Sequence, residues 1–169
     1  MSTLSNNHYS KFLIVWAGQM VSAIGSGLTA FALGVYAFQS TGTATSYAMM
    51  ILFAFLPSFL LNPITGVLAD RFDRRLLIII GDLGAATGLA FILAMMASGT
   101  IALWQIYLGV AFSSVFVAVH TPAYKASVSD LVPAELYTKA SGLTQLSGAA
   151  QFLIAPLVAG ILMSYMDIK

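Results

Sequence analysis

The chain has 169 residues, of which 59% are hydrophobic and 8% are charged, against roughly 25% charged residues in an ordinary soluble domain. Seven lysines and arginines and six aspartates and glutamates are too few to cover the surface of a soluble fold, and the hydrophobic content excludes an intrinsically disordered chain. The lack of cysteine excludes disulfide frameworks and thiolate zinc sites, and a net charge of +1 gives no electrostatic basis for binding nucleic acid. We therefore expect an integral membrane protein.

The apolar residues fall into five runs, each close to or above the about 20 residues that a helix needs to cross the hydrocarbon core. Helices are the only open-ended structure that satisfies the backbone polar groups there. The sequence therefore predicts an all-α membrane protein with five transmembrane helices, at about residues 12–38, 47–69, 76–97, 101–119 and 143–166.

The basic residues lie almost entirely on one side of this arrangement. Because basic residues favour the cytoplasm, the N-terminus is predicted to be cytoplasmic and, with five spans, the C-terminus to be outside. Only Lys169 falls on the second side, whereas the first side receives Lys11, Arg71, Arg74, Arg75, Lys125 and Lys139.

The longest connection, residues 120–142, carries helix signals of its own. Asp130 precedes Pro133, and Glu135 stands four residues before Lys139, the favourable order for a pair on one helix face. We expect a short helix on the cytoplasmic surface that leads into the fifth span.

The turn between the second and third spans, residues 66–75, reads Gly-Val-Leu-Ala-Asp-Arg-Phe-Asp-Arg-Arg. Gly66 would let another helix approach closely. Asp70 can pair with Arg74 if the second span continues helically by one turn. The simpler interpretation is a tight hairpin held inside by its arginines, and these two interpretations stay open from the residues alone.

This pattern resembles the signature between spans two and three of the major facilitator superfamily. The family often has glycine at the position of Asp73. In this departure from glycine the chain is similar to the macrolide-efflux subgroup of drug antiporters. Softer similarities lie at residues 18–25, 40–43, 121–123 and 131–135. The resemblance implies that the turn acts as a cytoplasmic latch between the two halves of a transporter, formed here by Gly66, Asp70, Arg71, Arg74 and Arg75.

The fifth span carries a second resemblance, to the glycine and proline pattern of the family's antiporters. Three residues match the spacing of that pattern, namely Gly142, Pro156 and Gly160. At three further positions the pattern has glycine, where this chain has Gln151, Ala155 and Ala159. Ala155 and Ala159 share a helix face, so close packing is expected there. An ordinary small-residue helix contact would give the same pattern.

The family fold consists of two six-span halves. The resemblance therefore implies that residues 1–169 form most of an N-terminal half, without the sixth span and the C-terminal half. We expect such a fragment to be inactive alone and to have that missing half as a partner.

Three polar residues inside the predicted spans are candidates for a proton or substrate site. Asp82 lies beside a stripe of small residues, so it is expected to face protein, either as a proton carrier or as a structural aspartate paired with a basic residue. Gln19 and Asn62 could bind substrate or form hydrogen bonds between helices. His8 and His120 fall outside the predicted spans and share no ligand spacing, so no metal site is predicted.

The resemblance implies an efflux transporter in a bacterial plasma membrane that exports a lipophilic or amphipathic small molecule in exchange for protons. No nucleotide-binding loop and no catalytic constellation occur, so neither an enzyme nor a cofactor is expected. The alternative is a small membrane subunit that does not transport and docks to another helical bundle.

Overall fold

The computed structural model describes the backbone of residues 2–99 and 101–165 and the side chains of residues 9–99 and 101–161. Within these residues the chain is almost entirely helical and has no strand. Five of its helices are long and apolar enough to cross a membrane, which confirms the predicted all-α membrane architecture. They are α1 (Ser2–Thr41), α2 (Ala44–Arg71), α3 (Arg74–Ala97), α4 (Leu103–Leu131) and α5 (Tyr137–Tyr165).

Short turns join the first four helices. Gly42 after α1 and Gly99 after α3 have φ values of 68° and 70°, the left-handed conformation in which glycine ends helices without strain. The N–H of Gly42 donates to the carbonyl of Phe38, 2.8 Å away. The predicted end of the fifth span at residue 166, and Lys169 beyond it, lie outside the described residues.

The helix of the predicted fourth span does not end near His120. α4 continues through Pro122 to Leu131. A proline inside a helix removes a single backbone donor, and a membrane helix tolerates that loss. The added turns carry an apolar face on which Ala123, Tyr124 and Val128 are buried.

The predicted connection over residues 120–142 is therefore largely helical. Only Val132 and Pro133 separate α4 from a 3-10 helix, Ala134–Leu136, and α5 follows it directly at Tyr137. The expected short surface helix is thus a 3-10 turn that continues into the beginning of α5. Pro133 cannot donate a backbone hydrogen bond, and it stands at the N-cap of that 3-10 turn.

The helices form two compact units, and the first contains α1 up to Leu33 together with the chain from Val128 onward. In this unit α1 and α5 lie very close together at Gly27, where an added Cβ would lie 2.5 Å from the carbonyl oxygen of Gln151 and 2.8 Å from the Cβ of Ala155. The indole N–H of Trp16 donates to the carbonyl of Leu143 at 2.7 Å. In this unit α1 thus packs closely against the small-residue face of α5.

The second unit, Gly34–Ser127, contains α2, α3 and most of α4. Its α3 and α4 meet along the predicted stripe of small residues, since Cβ atoms at Gly81, Gly84 and Gly88 would each collide with α4. α2 joins α4 through polar contacts, because the Ser58 and Ser114 hydroxyls lie 2.7 Å apart and Ser114 also donates to the carbonyl of Ala54 at 2.6 Å. Small residues and serine hydroxyls thus hold this unit together, as expected where the solvent is lipid.

Candidate functional site

The turn between α2 and α3 comprises only Phe72 and Asp73, because α2 ends at Arg71 and α3 begins at Arg74. The helix does not continue from Asp70 to Arg74, so the condition for a pair within one helix is not met. Asp70 is exposed and makes no ion pair with another described residue. Around Gly66, an added Cβ would meet no atom within 4 Å, so the described part of the chain leaves its surroundings open.

Asp73 is the N-cap residue of α3. Its carboxylate accepts hydrogen bonds from the backbone N–H groups of Arg75 at 2.8 Å and Leu76 at 3.2 Å. An N-terminal carboxylate also interacts favourably with the helix dipole. Asp and Gly are both accepted N-cap residues, so the departure from the glycine of the resembled family leaves the start of α3 intact.

Replacing Asp73 by alanine is expected to lower the free energy of unfolding by about 1 kcal/mol, because two backbone donors of α3 lose their acceptor. Replacement by glycine is expected to cost only a few tenths of a kcal/mol. Thermal unfolding of the two variants in detergent measures the difference. Equal losses would show that the cap contributes nothing that glycine lacks.

The arginines of the turn have different surroundings. Arg74 is half-buried and its guanidinium donates to the backbone carbonyl of Ala126 on α4 at 2.9 Å. Arg71 and Arg75 are exposed. Arg74 therefore ties the start of α3 to the part of α4 that lies beyond Pro122, whereas the other two present their charge on the surface of the second unit.

Asp82 has a partner that the sequence did not reveal. Its carboxylate Oδ1 lies 3.6 Å from Nε2 of His120 on α4. The Asp82 side chain is 58% exposed and that of His120 only 15%. This contact is compatible with both expected roles of Asp82. The aspartate is paired with a basic residue, and that residue, a histidine, can itself bind a proton.

Of the remaining polar candidates, Asn62 lies in the same unit as this pair and Gln19 lies in the other unit. Asn62 is exposed on α2, and Gln19 is half-buried on α1, in the first unit. In the antiporter-like pattern of α5, Ala155 and Ala159 are 0% and 4% exposed, whereas Cβ atoms at Gly142 and Gly160 would meet nothing within 4 Å. Pro156 is half-buried. The alanines are thus the packed members of that pattern.

An apolar groove of about 380 Å³ lies between α3 and α4. This volume is within the range of small-molecule sites, roughly 300–1,000 Å³. Sequence reasoning missed the groove, because its walls come from residues that would serve equally as lipid contacts. They are Thr87, Gly88, Phe91, Trp104, Gln105, Leu108, Gly109 and Phe112.

The five long apolar helices define a multi-pass α-helical membrane protein. The sequence profile described as Major Facilitator Superfamily matches residues 15–169. The chain therefore belongs to this superfamily of membrane transporters, which confirms the resemblance found in the sequence.

Three curated relatives extend the comparison. Macrolide efflux protein A of Streptococcus pyogenes is 34% identical over 97% of this chain and 40% of its own length. Macrolide efflux protein A of Enterococcus faecalis is 32% identical over 76% of this chain and 39% of its own length. YfiS of Bacillus subtilis, an uncharacterised MFS-type transporter, is 28% identical over 90% of this chain and 36% of its own length.

The chain thus spans about 40% of the length of the relatives that it matches. No solved structure matches it significantly.

Proposed function

We propose that this chain forms most of the N-terminal half of an efflux transporter that exports macrolide-like, lipophilic or amphipathic molecules in exchange for protons. The observation that carries the proposal is the similarity to macrolide efflux protein A, which extends over 97% of the chain. Residues 66–75, which resemble the family's signature, comprise the end of α2, the two-residue turn and the start of α3.

In the proposed cycle, two helical halves rock about a central site and expose it alternately to each side of the membrane. Asp70 and Arg71 at the end of α2 and Arg75 at the start of α3 are exposed, and they are proposed to engage the second half as a latch on the cytoplasmic side. Arg74 supports the latch from within through its bond to Ala126. Gln19 and Asn62 are proposed to contact the transported molecule.

The orientation follows the charge distribution, with the N-terminus in the cytoplasm of a bacterial cell. The cycle requires a second half, and the curated relatives are long enough to contain one. We therefore propose that residues 1–169 do not complete a transport cycle alone. Continuation of the reading frame beyond the codon for Lys169 into further apolar spans would support this, and so would a lack of transport by the purified chain in liposomes.

A chimera tests the proposed export. The segment of macrolide efflux protein A of Streptococcus pyogenes that this chain matches is replaced by residues 1–169, and the chimera is produced in a macrolide-sensitive bacterium without its own exporter. We expect reduced accumulation of radiolabelled macrolide, and we expect a protonophore to abolish that reduction. The matched control carries Asp70→Asn, which keeps the size of the side chain and removes the proposed latch charge.

Two outcomes would contradict the proposal. A chimera that reaches the membrane in normal amounts but leaves macrolide accumulation unchanged would exclude this chain as a functional half. Stoichiometric cross-linking of residues 1–169 to an unrelated membrane protein would favour the alternative of a docking subunit.

A further inference from the structure

The contact between Asp82 and His120 is built into the backbone of the second unit. An added Cβ at Gly81 would lie 2.6 Å from the Cβ of His120 and 3.1 Å from its backbone N and Cα. Because backbone and Cβ atoms cannot move aside, α3 and α4 stay this close only while residue 81 is glycine. The approach places the carboxylate of the next residue, Asp82, beside the imidazole.

Among the described residues, an aromatic ring and an apolar cluster also lie near His120. On α4 its ring stacks on the buried ring of Tyr124, with centroids 5.9 Å apart and planes 9° from parallel. The cluster next to it is apolar and is formed by Ala69, Leu77 and Ala123 with Leu68, Ile78 and Val119.

Charged residues also occur on the elements that adjoin His120. Asp70 and Arg71 of α2, Arg75 of α3 and Lys125 of α4 are exposed. Arg74 of α3 donates to the carbonyl of Ala126, which lies beyond Tyr124 along α4. Asp82 is an anion that lies against the imidazole, with its carboxylate oxygen 3.6 Å from Nε2.

The Asp82 and His120 side chains differ in their exposure. The Asp82 side chain is 58% exposed and the His120 side chain is 15% exposed, so the aspartate is the more accessible of the two. The separation of 3.6 Å is within ion-pair range but longer than a hydrogen bond, so a small shift of either helix changes the strength of the contact.

We infer that Asp82 and His120 form a single protonation site, with His120 as the proton-binding group and Asp82 as its counter-charge. The inference rests on the proposed proton antiport. With neutral imidazole and ionised carboxylate the pair carries a charge of about −1, and with the proton on Nε2 its charge is about zero. An N–H bond forms when water on one side of the membrane supplies the proton, and it breaks when the proton returns to water on the other side.

This change of one unit of charge inside a membrane protein is large enough to bias a conformational equilibrium, because net charge in hydrocarbon is costly. Glycine at position 81 would make the coupling sensitive to the distance between α3 and α4. The site thus links occupancy by a proton to the packing of two helices.

The first experiment measures proton binding without transport. The chain has two histidines, so the His8→Gln variant of residues 1–169 gives a single imidazole NMR signal in detergent. We expect Asp82→Asn to weaken proton binding at His120 by about tenfold or more, because an anion within about 4–6 Å favours the charged imidazole. Asp73→Asn, on the same helix and still able to cap it, should leave the titration unchanged.

An unchanged titration of His120 in the Asp82→Asn variant would overturn the inference, whether or not the protein transports anything. So would an equal change in the Asp73→Asn control, since the effect would then not depend on the pair. A change confined to Asp82→Asn supports the paired site.

The second experiment measures coupling in the chimera described above. Asp82→Asn and His120→Asn are each expected to reduce macrolide efflux driven by a pH gradient by about tenfold, while exchange of macrolide for macrolide at equal pH continues. Asparagine at position 120 retains the Cβ that packs on Gly81, so a purely structural role of the imidazole predicts no such split. The swapped variant Asp82→His/His120→Asp should regain part of the coupling.

Failure of the proposed efflux function and failure of the paired protonation site would give different results. A chimera without any efflux contradicts the proposed function, and the NMR titration then still decides whether the pair is one site. A chimera that couples efflux to protons equally well with either substitution leaves the proposed function standing and overturns the inference.

Discussion

Replacing Gly27 by leucine is expected to lower the free energy of unfolding of the chain in detergent by about 3 kcal/mol or more. At this position an added Cβ would lie 2.5 Å from the carbonyl oxygen of Gln151, a backbone atom that cannot rotate away. Leucine would force α1 away from α5, and the bond from the Trp16 indole to the Leu143 carbonyl would lengthen with it. Thermal unfolding followed by tryptophan fluorescence measures both effects, because Trp16 lies in this contact.

Gly25 provides the matched control. It lies on the same helix, and an added Cβ there would meet nothing within 4 Å. Leucine at position 25 is expected to leave the free energy of unfolding unchanged or to raise it, because leucine favours helix by about 0.8–1 kcal/mol over glycine. Equal losses at the two positions would contradict the close approach of α1 and α5.

A double variant identifies which atoms of α5 cause the conflict. The Cβ of Ala155 lies 2.8 Å from the position of an added Cβ at Gly27, and Ala155→Gly removes it. The Gln151 carbonyl remains, so Ala155→Gly is expected to recover only part of the stability lost in Gly27→Ala. Complete recovery would show that the side chain, and not the backbone, limits the approach.

The five helices themselves could be predicted from the sequence because each contains a long apolar run. The charged turn at residues 66–75 also marked the boundary between α2 and α3 correctly, since Arg71, Asp73, Arg74 and Arg75 cannot lie in hydrocarbon without partners. Apolar length and the positions of charges are local properties, so they can be read before any tertiary contact is known.

The end of α4 could not be predicted in this way. His120, Thr121 and Pro122 together are typical of a turn, and local signals alone favour ending the helix there. Tertiary contacts outweigh that preference, because Ala123 and Tyr124 are buried beyond the proline and Arg74 binds the carbonyl of Ala126. A helix that ended at His120 would leave these contacts unmade.

The misplaced helix end also hid the candidate site. With His120 assigned to a connection outside the spans, the sequence offered Asp82 no basic partner inside the membrane. The stripe of small residues predicted that Asp82 faces protein, but its side chain is 58% exposed, and the residue of the stripe that packs on His120 is Gly81. The spacing of residues within one helix shows which of them share a face. It does not show which other helix packs against that face.

The crossing of α3 and α4 farther from the pair gives the second large expected effect. Replacing Gly88 by leucine should lower the free energy of unfolding by about 3 kcal/mol, because a Cβ there would overlap the Ser113 hydroxyl and lie 3.0 Å from the carbonyl oxygen of Gly109. Ala86 is exposed on the same helix, so Ala86→Leu is the control and should have little effect. Unfolding in detergent measures both variants, and similar losses would contradict the crossing.

Alanine variants make the test quantitative where the leucine variant yields no folded chain. Gly88 and Gly109 face each other, and an added Cβ at Gly109 would lie 2.6 Å from Ile92 and 3.5 Å from the Gly88 carbonyl oxygen. Either alanine alone forces α3 and α4 apart, and the second then enters space that the first has opened. Gly88→Ala/Gly109→Ala should therefore cost less than the two single losses together, by about 0.5 kcal/mol or more. Strictly additive losses would mean that the two glycines do not share one crossing, and that α3 and α4 are held together elsewhere along their length.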